Sequence, residues 1–134
     1  MTQPFTWIGV HKIKDGKAEE LKQILKELPD FIEKNEPRLL GFNFYINEEG
    51  TRIAVVQMHP DADSFEFHMK VAGEHIAQSY QYLEATESTW IFGTPSPAVL
   101  EMIDQFRQAA GQEETLNVMS QHLSGFTRLG DHPG

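Results

Sequence analysis

The 134-residue sequence contains no cysteine, which excludes disulfide bonds, thiolate nucleophiles and thiolate metal sites. No stretch approaches the roughly 20 consecutive apolar residues that a membrane-spanning helix needs, so we expect no membrane span. Lysine and arginine are also scarce, with 11 of them against 20 aspartates and glutamates and a net charge of −9. Because this charge repels phosphate groups and anionic lipid surfaces, we expect neither nucleic acid nor a membrane as a partner.

The first residues, MTQPFTW, lack the basic start and the apolar run of a secretory signal, which predicts a cytoplasmic protein. The composition is that of an ordinary globular fold, with 40% apolar, 10% aromatic and 23% charged residues. A chain of this length buries one core and is too short for two. We therefore predict a single domain over residues 1–134.

Apolar residues between positions 5 and 93 follow in turn the two-residue period of strands and the 3.6-residue period of helices. One helix is predicted between Gly16 and Glu36, where we expect Pro29 to kink or interrupt it, and a second over residues 61–83. The predicted strands are 5–14, 38–47, 51–59 and 84–93, with the middle two forming a hairpin. This order predicts an α+β fold, a ferredoxin-like split βαββαβ antiparallel sheet with both helices on one face.

The helix over residues 61–83 is the longest predicted amphipathic element, with Asp63 or Ser64 as its expected N-cap. His68 and His75 lie on the border of its apolar stripe, within roughly 20° of each other. Because seven residues span about 10 Å along a helix, the two imidazoles cannot bind one metal ion together, and we expect no metal site. Either histidine can act as a base near neutral pH, or can simply bond to the backbone or to water.

The two helices leave one face of such a sheet uncovered. We expect that face to be mixed, too aromatic for water and too polar for a sealed core, and to carry Trp7, His11, Asn43, Tyr45, Gln57, His59 and Trp90. A second copy of the sheet is the economical cover, which predicts a homodimer with a partly polar interior. There, Asn43 and Gln57 either bond across the dimer or orient a ligand. Aromatic side chains on this face form either pocket walls or interface packing, and these are Trp7, Tyr45 and Trp90.

Residues 94–134 are predicted to extend the core with a helix and a tail. Ser96 and Pro97 form a strong helix start, and the helix is expected to end at Gly111. The predicted remainder consists of a solvated link at 112–114, a short apolar segment at 116–119, a strand or partner-reaching arm at 122–129 and a disordered end at 130–134.

The order of strands and helices, the hairpin, and the His68 and His75 pair after Pro60-Asp61 resemble the antibiotic biosynthesis monooxygenase-like proteins. The resemblance covers residues 5–93 and implies two ferredoxin-like subunits packed sheet against sheet as a dimeric α+β barrel. It also implies a cofactor-independent monooxygenase that oxidises a small aromatic or quinol substrate with molecular oxygen. In that interpretation His68 or His75 is the catalytic base, and no cofactor is expected.

Two alternatives remain at this point. One is a non-catalytic or stress-related dimer that binds a hydrophobic small molecule, and the other is a haem-binding protein that uses one of the same histidines. The haem-degrading branch of the resembled family uses an asparagine on the first strand and a tryptophan with a histidine on the second helix. This chain has no asparagine before Asn35 and no tryptophan between Trp7 and Trp90, which disfavours haem degradation.

Overall fold

A five-stranded sheet with three helices makes up the computed structural model, which describes residues 3–110 and 115–128. The elements in chain order are β1 (Phe5–Ile13), α1 (Ala18–Asn35), β2 (Gly41–Ile46), β3 (Arg52–His59), α2 (Ala62–Ser79), β4 (Leu83–Phe92), α3 (Pro97–Ala110) and β5 (Thr115–Met119). The strand order is β2-β3-β1-β4-β5, and β1 pairs antiparallel with both of its neighbours. The first four strands with α1 and α2 confirm the predicted ferredoxin-like arrangement, to which β5 adds a parallel edge strand.

Helix α1 forms because apolar residues recur every three or four positions, and it buries Leu21, Leu25, Leu28 and Ile32 against the sheet and α2. Of the two effects predicted for Pro29, a kink or an interruption, the interruption is wrong, since the helix runs through this residue to Asn35. Proline removes one backbone donor, and the packing of the buried face outweighs that loss. The helix ends where predicted, at Glu36, whose backbone N–H donates to the carbonyl of Ile32 at 2.8 Å.

Helix α2 begins one residue after Asp61, which is its N-cap in place of the predicted Asp63 or Ser64. The Asp61 carboxylate accepts a hydrogen bond from the backbone N–H of Ser64 at 2.9 Å, which satisfies one of the free donors of the first turn. The helix is shorter than predicted and passes at Ser79 into a single 3₁₀ turn, Tyr80–Tyr82. This turn leads directly into β4.

The two faces of the sheet are assigned by strand register and by contacts with α2. Trp7 stacks on Phe65 of α2 with ring centroids 4.6 Å apart, and His59 bonds to Ser64 of the same helix. The prediction that the uncovered face carries Trp7, His11, Gln57 and His59 is therefore wrong. These four lie on the helix-covered face, because their polar groups meet helix side chains and a cavity there.

The uncovered face is in fact largely apolar. Asn43 and Tyr45 do lie on it, opposite Val56 and Ala54 of β3 in an antiparallel register that directs paired side chains to one face. Trp90 lies there too, opposite Ile8. The register also places Val10, Met58, Phe92 and Met119 on this face, together with the polar residues Thr6, Ser88, Thr115 and Asn117. We call this set the open face.

Helix α3 confirms the predicted start, because the Ser96 hydroxyl accepts a hydrogen bond from the backbone N–H of Val99 at 3.2 Å. Val99 and Ile103 are buried against a second core cluster with Phe5, Phe65 and Ile91. The predictions for Gly111, for the link at 112–114 and for the end at 130–134 lie outside the described residues. Within the described part of the chain, no helix has both the length and the apolar character needed to cross a bilayer.

After β5 the chain continues as an extended segment, residues 120–128, which we call the arm. It has no helix or strand, and all of its residues are exposed. Two large apolar side chains of the arm face solvent, Leu123 at 96% exposure and Phe126 at 80%. The arm therefore makes little contact with its own subunit.

Replacing Gly93 by alanine should destabilise the fold by about 1–3 kcal/mol. Gly93 has φ +117°, and an added Cβ would lie 2.7 Å from the carbonyl oxygen of Pro4. Gly73→Ala is the matched control, because nothing lies within 4 Å of its Cβ position in α2 and the change should stabilise the helix by about 0.5–1 kcal/mol. Denaturant unfolding of both variants measures the difference, and equal stabilities would contradict this account of Gly93.

Candidate functional site

A cavity of about 310 Å³ lies between the helix-covered face of the sheet and the helices. This volume is at the lower end of the range of small-molecule pockets. Its apolar walls come from all three helices and from β2 and β3, and they include Leu21, Leu25, Leu28, Phe42, Phe44, Ile53, Val55, Phe65, Met69, Ile76, Met102 and Ile103. A few polar side chains interrupt these walls, and their positions decide what chemistry the cavity supports.

The first polar group is His68, a fully buried histidine on α2. Its Nδ1 lies 2.9 Å and 3.0 Å from the two carboxylate oxygens of Glu36, a residue that is only 2% exposed. The Nδ1–H therefore donates to a buried carboxylate. The other ring nitrogen, Nε2, has no hydrogen-bond partner in the described structure, and the residue lines the cavity. Nε2 is thus a buried polar atom beside the cavity that no described residue satisfies.

Glu36 is held in place by its position at the end of α1. Its backbone N–H continues the helical hydrogen bonds, and its carbonyl accepts from Leu39 at 3.3 Å, so the backbone is fixed on both sides. The His68 ring is held between Phe42, at a centroid distance of 5.3 Å, and Phe65, at 6.1 Å. A carboxylate that fixes the tautomer and orientation of an imidazole is a recurring feature of histidine bases.

A second polar group begins at Ser64 and reaches the cavity through His59 and Gln57. The Ser64 hydroxyl lies 2.7 Å from Nδ1 of the buried His59, and Nε2 of His59 lies 3.0 Å from Oε1 of Gln57. Burial, and to a smaller extent the electrostatic effect of the neighbouring His68, lowers the pKa of His59 to about 3. A neutral His59 accepts from Ser64 and donates to Oε1, which leaves the amide –NH₂ of Gln57 as the donor that this residue offers to a ligand.

A third polar group, His11, lies farther along β1. Its Nδ1 is 3.0 Å from the hydroxyl oxygen of Thr86, and burial lowers its pKa to about 4. His11 is four residues from Trp7, about 13 Å along an extended strand, and Trp7 is paired with Gln57 on β3. His11 therefore enters the cavity from a position farther along β1 than Trp7 and its paired residue Gln57.

The structure brings together three of the seven predicted site residues, since His68, Gln57 and Trp7 all line the cavity. The other four are not among its lining residues. His75 packs on Phe31 with ring centroids 4.5 Å apart, away from His68. The remaining three lie on the open face, and they are Asn43, Tyr45 and Trp90.

Two residues of the site were missed by sequence reasoning. Glu36 precedes a proline at a helix end, and this position alone accounts for a glutamate in the sequence. Nothing in the local sequence indicates its buried partner, which is 32 positions away. Ser64 looked like a helix cap, whereas Asp61 is the cap and the Ser64 hydroxyl serves His59. The nearest sequence signal is the short spacing of Gln57, His59 and Ser64 around a strand end, which places the three side chains close together.

The cavity carries little that would hold a charged cofactor. None of its described lining residues is a lysine or an arginine, the usual partners of cofactor phosphates and carboxylates. In residues 3–110 and 115–128, no group of three histidine, aspartate or glutamate side chains converges to hold a metal ion. The chemistry that the described residues can supply is proton transfer and hydrogen bonding.

The fold is that of the antibiotic biosynthesis monooxygenase-like proteins. SnoaB from Streptomyces nogalater, a cofactor-independent oxygenase, superposes with a TM-score of 0.56 at 12% identity, over 69% of this chain and 94% of its own. A protein proposed to be an antibiotic biosynthesis monooxygenase, from Bacteriodes thetaiotaomicron, gives a TM-score of 0.57 at 15% identity, over 63% of this chain and 84% of its own. Both matches cover about two thirds of this chain.

MupZ from Pseudomonas fluorescens matches over nearly the whole length, 94% of this chain and 95% of its own. The TM-score is 0.69 and the identity is 15%. No protein-family model matches the sequence, and no curated protein matches it either. At these identities the likeness establishes a shared fold, and function has to be argued from the side chains of the cavity.

Lowering the pH should decrease the free energy of unfolding, in part because His59 resists protonation in the folded protein. Its pKa is about 3 in the folded chain and near 6.5 in the unfolded chain, so the unfolded state binds one more proton between these values. The contribution of neutral His59 to the free energy of unfolding is fully present above pH 6.5 and decreases as the pH falls below that value. The expected slope is about 1.4 kcal/mol per pH unit for one proton.

His59→Gln removes this titration and should give a shallower loss of unfolding free energy between pH 6 and pH 4, whatever its stability at pH 7. Urea unfolding at a series of pH values measures both slopes. Parallel curves for the variant and the wild type would show that His59 titrates normally in the folded protein.

Proposed function

We propose that the protein is a small-molecule enzyme in which His68 is the general base. The observation that carries this proposal is the buried pair in which Nδ1 of His68 donates to Glu36, while Nε2, beside an apolar cavity, has no partner among the described residues. When Nε2 takes a proton, the neighbouring carboxylate stabilises the imidazolium that forms. Gln57 supports the same step, because its amide –NH₂ can donate to the oxygen that becomes negative.

The substrate that suits this site is a small aromatic molecule with an acidic hydroxyl, such as a phenol or a quinol. Its ring is accommodated by apolar walls, and its hydroxyl proton passes to Nε2 of His68. The resulting phenolate is electron-rich at the ring carbons. The described lining residues contain no cation that would favour a phosphorylated or carboxylated substrate over a neutral one.

The reaction that we infer is a cofactor-independent monooxygenation. The phenolate ring carbon forms a bond to molecular oxygen, and the peroxide oxygen that results takes up a proton. Cleavage of the O–O bond with loss of water then leaves a carbonyl at that carbon, so that a phenol and O₂ give a quinone and water. The substrate supplies all four electrons, and His68 accepts and returns the proton. The SnoaB likeness in fold supports this choice of chemistry.

A second candidate is proton transfer without oxygen, which uses the same base and donor. It is favoured by Gln57, because a base that faces a hydrogen-bond donor also suits the enolisation of a carbonyl compound. Anaerobic exchange of a substrate C–H with deuterated water would separate it from oxygenation. Tight binding without turnover or exchange would favour a non-catalytic small-molecule-binding protein instead.

Oxygen uptake with a panel of phenols and quinols tests the proposal. His68→Gln should lower turnover by about 10²–10⁴-fold, the usual contribution of a general base. Glu36→Gln removes the charge that stabilises the imidazolium and should cost about tenfold or more. The matched control is His75→Gln, a histidine on the same helix outside the cavity, which should retain wild-type turnover. Full activity in the His68 variant on a substrate that the wild type oxidises would refute the base assignment.

We propose further that the open face packs against the open face of a second copy, giving a homodimer. The face is rich in large apolar side chains, among them Met58, Phe92 and Met119, which are all exposed in the single chain. The arm supports the same assembly, because Leu123 and Phe126 are both largely exposed in the single chain, where Phe126 is contacted by Arg128 of the arm itself. If two open faces pack about a two-fold axis, the apolar side chains of the open face and those of the arm would both be buried.

The dimer predicts a mass of twice 15.3 kDa in solution. Val56→Lys places a charge in the middle of the open face and should shift the protein to the monomer, since an unpaired buried charge costs several kcal/mol. Phe67→Ser is the control, because Phe67 is an exposed apolar residue of α2 that the sheet interface does not include. Light scattering after size exclusion measures the masses, and a monomeric wild type would rule out the dimer.

A further inference from the structure

A glycine in the middle of β1 leaves a notch in the floor of the cavity. Gly9 is buried, yet its φ is not positive, so the strand conformation does not require glycine here. A methyl group built at Gly9 would lie 3.2 Å from Nε2 of His11 and 3.5 Å from Nε1 of Trp7. The missing side chain therefore exposes two ring nitrogens that flank the same point. Glycine inside a strand often marks a place where a ligand approaches the backbone.

The chemistry of the notch is that of hydrogen-bond donors without charge. The indole N–H of Trp7 can only donate, and its nitrogen lies 3.5 Å from the position that a Gly9 Cβ would take. At His11, Nδ1 lies 3.0 Å from the Thr86 hydroxyl oxygen, and in the tautomer that accepts from this hydroxyl the proton is on Nε2, which makes this nitrogen a second donor. Burial lowers the pKa of His11 to about 4, so the ring is neutral at physiological pH. Two neutral donors suit a neutral acceptor.

We propose that the Gly9 notch is a ligand-binding subsite that takes a neutral acceptor oxygen, a carbonyl or an ether, on a planar apolar ligand. The inference rests on the proposed function, since the same ligand presents its hydroxyl to His68. Gly9 is two residues from Trp7, about 7 Å along the strand, and Trp7 is paired with Gln57. The subsite therefore lies beside the base end of the cavity, and it selects aromatic substrates that carry a second oxygen across the ring.

Two phenols that differ in one group provide the probes. 4-Hydroxyacetophenone carries the acceptor oxygen opposite the hydroxyl, whereas 4-ethylphenol has a similar shape without it. The wild type should bind 4-hydroxyacetophenone about five- to tenfold more tightly, the effect of one neutral hydrogen bond in a buried site. Isothermal titration calorimetry measures both affinities.

Two variants remove the notch in different ways. Trp7→Phe keeps the stacked ring on Phe65 and removes the N–H, while Gly9→Ala fills the space. Each should abolish the preference for 4-hydroxyacetophenone and change the affinity for 4-ethylphenol by less than about twofold, because the phenol end is untouched. Thermal unfolding checks that each variant is folded. If Gly9→Ala does not fold, Trp7→Phe alone tests the subsite. His68→Gln should weaken both probes alike.

The outcomes separate the two proposals. If the wild type binds neither phenol, the proposed function fails and the subsite fails with it. If the wild type binds both phenols equally, or if each variant weakens both by the same factor, the subsite is refuted while the role of His68 stands. A preference in the wild type that both variants lose establishes the subsite.

Discussion

The buried contact between Glu36 and His68 is the constraint on which the rest of the structure depends. A carboxylate that is 2% exposed is costly unless it is paired, and the imidazole of α2 supplies its partner. The contact joins the end of α1 to the middle of α2 and therefore fixes how the two helices lie across the sheet. The space that remains beneath them is the cavity. The interaction that satisfies a buried charge thus also defines the shape of the site and orients its base.

The sheet separates two roles, because its two faces carry different chemistry. The helix-covered face carries the polar side chains of the site, each held by a specific partner, as in the bond between His59 and Gln57. The open face carries large apolar groups, with polar residues such as Asn43 and Ser88 between them. A face that binds ligands and a face suited to another subunit are therefore built from alternate residues of the same strands. Either face can change in sequence with little effect on the other.

The order of elements was predictable because strand and helix periods are local properties of the sequence, and so was the capping of α3 by Ser96. Which face of the sheet each strand residue occupies was not predictable. Trp7 and His11 on β1 alternate with Ile8 and Val10, and polarity suggested that the first pair faces outward and the second the core. The reverse is true, because an internal cavity accepts polar groups and the open face is apolar. Glu36 could not be identified as a site residue either, since its partner is 32 residues away and no local pattern links them.

The cavity and the open face lie on opposite sides of the same sheet. The described lining of the cavity includes His68 and reaches from Leu21 of α1 to Ile103 of α3. In a dimer packed through the open faces, each subunit would carry its cavity on the side of the sheet away from the interface. Cooperativity would require the occupied cavity to alter the open face through the strands that the two share.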